Sequence, residues 1–211
     1  VTNTKRNGFR GLVFLASIIT MMSMNVAYAN KSEKHNLLEL MKHSESILVG
    51  TVKDKEDGFQ NGLPFTEITI KVGQNIKGDK GEEYSFRQFG LIKPKPTGDG
   101  RINMMVTPAG WPTYSVGENV LLFLHAPASK TGFQTTAGLT QGKFLIRANN
   151  ISNGLNNDEL FAGIKFNRSL KKNHQDLVNQ PGGAYAAQDF LSLVRTAVEE
   201  KWIENGVMTN E

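Results

Sequence analysis

Residues 138–147 read Gly-Leu-Thr-Gln-Gly-Lys-Phe-Leu-Ile-Arg. A glycine, an interval and then Gly-Lys is the outline of a phosphate-cradling loop. Such a loop needs four intervening residues, a Ser or Thr after the lysine, and a helix N-terminus behind it. Here only three residues separate Gly138 from Gly142, Phe144 stands in the hydroxyl position, and residues 143–147 alternate like a strand. Nucleotide binding is therefore not expected. The glycines instead predict a bulge or a close backbone crossing where a side chain would clash.

The other residues able to do chemistry are few. His35 and His43 are eight apart and could share a helix face, but no further ligand stands at a recognised zinc spacing. No metal and no cofactor are expected. His125 ends the apolar run of residues 120–124, just before Ala126-Pro127, and is the histidine best placed for function. There is no Gly-x-Ser-x-Gly elbow and no His-Glu-x-x-His, and the acid pairs Glu82-Glu83 and Glu199-Glu200 read as solvated faces. No catalytic residue is assigned. Binding is better represented. The Pro/Gly-rich loops of residues 89–117 gather Met104, Met105, Trp111 and Tyr114 on stiff backbone, as a recognition surface requires. The candidate binding set is Met105, Trp111, Tyr114 and His125. The plainer expectation for Trp111 is that it folds back to plug the domain.

The elements that must carry these residues are mostly strands. Residues 46–52 are rich in β-branched types, 65–72 and 83–89 alternate apolar with polar, and Val120 to Leu124 is the most apolar segment after residue 29. That last run is read as the central strand. Further short strands are expected at 102–106, 132–136 and 142–147. Asp57-Gly58 and Asn61-Gly62 lie close together and suggest a longer hairpin tip over 53–63. The asparagine-rich residues 149–158 predict a rim loop. Two stretches have helical spacing. Leu37, Leu38, Leu40 and Met41 form one face of a short N-terminal helix. From Ala187 onward, Phe190, Leu191, Val194, Ala197, Val198 and Ile203 form the face of an amphipathic C-terminal helix over 187–203. Short punctuated strands without βαβ alternation predict a mainly β fold, an OB-like antiparallel β-barrel closed at one end by that helix.

The ends and the composition bound the compartment. Lys5, Arg6 and Arg10 precede an apolar run over 11–24 that closes with Ala27-Tyr28-Ala29, the shape of a secretory signal peptide over residues 1–29. The run is shorter than the roughly 20 residues needed to span a bilayer. A single exported domain over 30–211, periplasmic or secreted, with no stable membrane span is expected. Without the leader, 24 Lys and Arg against 20 Asp and Glu becomes 21 against 20. A nearly neutral chain gives no case for nucleic acid. Cysteine is absent, which excludes disulfides, thiolate metal sites and cysteine nucleophiles.

Residues 46–52, 65–72 with Ile76-Lys77-Gly78, Tyr114 to Leu124, and Gly138 to Phe144 together resemble a group of uncharacterised exported bacterial proteins. The likeness covers most of residues 46–147. The first half is also similar to the netrin-like OB barrel of tissue inhibitors of metalloproteinases, in which a strand leads through a long hairpin to an alternating strand and a Lys-Gly turn. Those inhibitors act through an N-terminal cysteine held by disulfides, and this chain has none. The resemblance implies barrel architecture and transfers no functional residue. The expected function is that of a non-catalytic module whose rim loops bind a protein or an envelope polymer. A structural subunit pairing through edge strands, and a hydrolase using His125 with Asp99 or Glu118, stand as alternatives.

Overall fold

The computed structural model describes residues 34–211, so the expected leader lies outside the described residues. The described chain is mainly β, with a large antiparallel sheet and three short helices. Helix α1 is Leu37–His43. The strands are β1 Ser46–Gln60, β2 Leu63–Lys77, β3 Glu83–Phe89, β4 Lys95–Pro96, β5 Ile102–Asn103, β6 Asn119–Leu124, β7 Lys143–Arg147, β8 Asn150–Asn153, β9 Ile164–Phe166, β10 Tyr185–Ala186 and β11 Met208–Asn210. Helices α2 (Lys172–Val178) and α3 (Ala187–Glu199) flank β10 in sequence. The main sheet runs β10-β8-β7-β6-β1-β2-β3, and β4–β5 and β9–β11 are separate pairs. Residues 33–211 form a compact unit of their own.

β6 explains its uninterrupted apolar sequence by its place. It lies between β1 and β7, and its side chains alternate between two cores. Leu121 and Phe123 join Ile47, Phe144 and Ile151 under the helices, while Val120, Leu122 and Leu124 join Leu48, Ile68 and Phe86 on the opposite face. Helix α1 closes the first core. Its N-terminus carries a capping box in which the Asn36 side chain accepts from Glu39 N–H and the Glu39 carboxylate accepts from Asn36 N–H, both at 3.1 Å. All four of its apolar residues are buried. α3 contributes Phe190, Leu193 and Val194.

The second core has no helix over it. It is built from residues of β1, β2, β3 and β6 with Tyr114, and β1 carries register shifts at Ile47/Leu48, Val49/Gly50 and Val52/Asp54. Gly50 lets the middle shift close: a Cβ there would lie 2.5 Å from both Ile70 and the Lys71 carbonyl oxygen. The named strands form an open order with β3 and β10 at its ends. Residues 133–137 run between the end of β6 and β3. Ala137 N–H donates to Phe123 (2.7 Å), His125 N–H to Thr135 (3.0 Å) and Gln134 N–H to Arg87 (2.8 Å).

Several local expectations change. Of the strands expected at 102–106 and 132–136, the first shortens to Ile102–Asn103 and the second is reduced to a bridge between Thr136 and Leu124. The β1–β2 tip is a tight two-residue turn, with Asn61 and Gly62 at φ 50° and 78°, and Asp57-Gly58 lies inside β1. Gly58 is used as a flat surface for its cross-strand partner, since a Cβ would sit 2.4 Å from the Phe65 ring. Residues 149–158 include β8, and Asn157 is fully buried: its amide donates to Ile151 and Gly183 carbonyls and accepts from Asn153 N–H. Helix α3 stops at Glu199, short of residue 203. Lys201 takes a left-handed conformation (φ 51°), and Trp202 N–H reaches back 2.9 Å to the Ala197 carbonyl. That reversal sends Trp202 into the core at 1% exposure.

Candidate functional site

The loop after β3 is positioned by a glycine and then pinned by side chains from three strands. Gly90 (φ 100°) lets the chain cross Thr107 so closely that a Cβ would come within 2.6 Å of its backbone. Farther along, three successive carbonyls are taken by donors reaching up from the sheet. Gln88 of β3 donates to Pro112 (2.8 Å), Lys143 of β7 donates to Thr113, and Lys55 of β1 donates to Tyr114 (2.7 Å). This fixes Trp111, whose ring stands half-buried against Phe89, with centroids 6.4 Å apart.

His125 arrives beside it from β6. Its Nδ1 contacts the His43 carbonyl oxygen at 2.9 Å, at the C-terminal end of α1, and the two imidazoles stack at 6.5 Å. Phe133 comes from the segment that bridges β6 and β3, and its ring meets Phe65 edge-on at 5.9 Å. His43, Phe89, Trp111, His125 and Phe133 thus share one groove of about 500 Å³. Gln134 in its lining is fully engaged, donating to the His125 carbonyl (2.6 Å) and accepting from the Tyr84 hydroxyl (2.7 Å). Among the described residues, neither the Trp111 indole N–H nor His125 Nε2 has a hydrogen-bond partner. The groove therefore offers ring faces with two directed polar atoms, the pattern suited to a ligand of mixed apolar and hydrogen-bonding character.

Of the four residues singled out from sequence, Trp111 and His125 meet in this groove. Met105 stands apart on the β5–β6 connection, its side chain exposed and its carbonyl accepting from Leu91 N–H. Tyr114 is buried in the second core at 5% exposure, its hydroxyl has no partner, and burial pushes that hydroxyl far above its ordinary value. It borders a separate cavity of about 240 Å³ with Ile68, Gln88 and Leu91. His43, Phe89 and Phe133 carry no sequence signal that sets them apart as a site. An alternating strand places Phe89 on one face, but nothing local says that α1 and residue 133 come to the same rim.

Beneath the loop sits a buried charge pair. Lys143, 8% exposed, donates to Glu118 Oε2 at 2.6 Å, and its ammonium lies 4.7 Å from the Tyr114 ring centre. Burial pushes the Lys143 ammonium below the ordinary lysine value, and the Glu118 carboxylate offsets this only in part. Partial burial pushes Glu118 up, but the Lys143 ammonium and the Ser115 N–H outweigh it and hold the carboxyl low. Glu118 is thus committed to Lys143, and Asp99 to Thr97 and Arg101; neither carboxylate lines the groove of His125. The Gly-Lys outline resolves the same way. Leu139–Gly142 is a single 3-10 turn, β7 starts at Lys143, and a Cβ on Gly142 would strike the Ala137 carbonyl oxygen at 2.0 Å. Among the described residues no group of three or more His, Asp or Glu side chains is arranged to hold a metal ion, and no helix is long and apolar enough to cross a membrane.

The chain matches no model of a known protein family, and searches of curated proteins and of solved structures likewise return no match.

Proposed function

We propose that the chain is an exported, non-catalytic binding module on an OB-like barrel, and that its ligand is a protein segment or an envelope polymer held in the Trp111–His125 groove. The observation that carries this reading is the convergence of five rings from four separate parts of the chain, with the loop of Trp111 held at residues 112–114 by side chains of the sheet. Preorganised rings lose little conformational entropy on binding, which is why such grooves favour association. The barrel reading is supported by the hydrogen bonds of residues 133–137 to both the end of β6 and β3. The hydrolytic alternative is weaker because the groove brings no carboxylate to His125.

The test is retention. Protein starting at Asn30 is immobilised and exposed to the producer's envelope polymers and, separately, its envelope and culture proteins. One class should be held, and Trp111→Ala and Phe133→Ala should each weaken it by tenfold or more, on the order of a hot-spot aromatic. Retention that both variants leave unchanged sinks the groove as the site.

A further inference from the structure

The large apolar side chains left exposed are not scattered. Ile92, Ile102, Met104, Met105 and Val106 all lie on the flap of residues 91–107, and Phe59 and Leu63 lie at the β1–β2 tip; only Val116 is elsewhere among the described residues. The two groups are tied together through Asp57, whose carboxylate accepts from Ile92 N–H (2.8 Å) and whose carbonyl accepts from Lys95 Nζ (3.1 Å). Met104 is 68% exposed and Ile102 61%, values at which a water-facing residue of this size forfeits most of its burial free energy. Exposed apolar side chains gathered on two linked segments in this way mark an interaction site.

The flap also carries Lys93, Lys95 and Arg101 against a single acid, Asp99. Asp99 accepts from the Thr97 hydroxyl and the Arg101 N–H and lies 3.6 Å from the Arg101 guanidinium, which is still 85% exposed; Lys95 stands 4.0 Å from the buried Asp57 carboxylate, and the Lys93 ammonium has no acid beside it among the described residues. The turn between β4 and β5 is open to solvent at Gly98 and Gly100, where an added Cβ would meet nothing within 4 Å. Exposed apolar side chains set among Lys93, Lys95 and Arg101 fit an anionic bilayer. Methionine and isoleucine side chains enter the headgroup–acyl boundary while Lys and Arg reach phosphates at the level of the surface.

We infer that the flap of residues 91–107, with Phe59 and Leu63 beside it, docks this protein peripherally on an anionic phospholipid surface. None of residues 91–107, Phe59 or Leu63 lines the groove of Trp111 and His125. The cationic part is screened by salt and the apolar part is not.

Because residues 33–211 are a compact unit, the experiment uses protein beginning at Asn30, which also removes the apolar leader as a source of binding. It is sedimented with phosphatidylcholine vesicles with and without about 30% phosphatidylglycerol, which supplies a negative surface potential. Binding is expected on the anionic vesicles and should fall about fivefold for each of Lys93→Gln and Arg101→Gln at low salt. Met104→Ser combined with Met105→Ser should lower it by about tenfold or more. Both methionines are exposed, so the melting temperature should not change, and Trp111→Ala should leave vesicle binding intact. Absence of binding to anionic vesicles, equal binding to neutral ones, or indifference to the methionine pair each overturns the inference. Loss of binding in Trp111→Ala alone would do the same, since it would assign the lipid to the groove.

Discussion

Replacing Glu118 with Gln tests how the groove loop is held. The carboxylate and the Lys143 ammonium are 2.6 Å apart. At an effective dielectric near 20 that attraction is roughly 6 kcal/mol before desolvation, which removes most of it. Removing one partner of a buried pair costs about 3–5 kcal/mol, because the other charge is left without its counterion. Glu118 is 24% exposed and Gln can still accept one hydrogen bond, so the expected cost is about 2–3 kcal/mol at pH 7. For a domain of this size that is a fall of about 5–10 °C in Tm. Lys143→Met should cost less, since it removes the ion that needs the partner and leaves a carboxylate with access to water. The pH dependence gives a second readout. In the Gln variant the folded state holds the Lys143 proton less tightly than the unfolded state does, so stability rises with pH. The gap from the parent protein should narrow as pH approaches the ordinary lysine value of about 10.4. Urea titration monitored by the emission of buried Trp202, at pH 7 and at pH 9.5, measures both. A cost within about 0.5 kcal/mol of zero, or a gap that widens with pH, would refute the claim that this pair is a committed structural contact.

The other buried polar groups give two further expected outcomes. His174 is 1% exposed, and burial, reinforced by Lys171, holds its imidazole below the ordinary value. A depressed folded value means stability that is present above about pH 6.5 and lost as pH falls below it; His174→Gln should flatten the stability profile below about pH 6.5. An unchanged slope in that window would show that His174 is protonated equally in both states. Asn157→Asp keeps the acceptor for Asn153 N–H but sets a carboxylate against the Ile151 and Gly183 carbonyls, and should cost about 3 kcal/mol in a thermal melt. A loss below about 1 kcal/mol would mean that the asparagine turn rearranges to let water in.

Much of the architecture is written in local periodicity. The apolar run of β6, the alternation of β2 and β3 and the helical spacing of Leu37, Leu38, Leu40 and Met41 each report which side of an element is buried, and that depends on neighbours in sequence. The dismissal of a phosphate loop at Gly138 was legible too, because spacing and the strand after it are local facts. Other features depend on which distant residues meet. Asn149 to Asp158 has the composition of a rim loop, yet Asn157 is a core residue because Ile151 and Gly183 place carbonyls around it. Lys201 ends α3 in a conformation usually left to glycine, and no pattern announces it, since the gain comes from seating Trp202 in the core. The groove is the clearest case. Trp111 and His125 could be picked out singly, from loop composition and from the end of a strand. That His43 and Phe133 join them while Tyr114 turns inward was decided by tertiary packing. Packing brings chain segments some eighty residues apart together, as at His43 and His125, and single-chain periodicity carries no record of it.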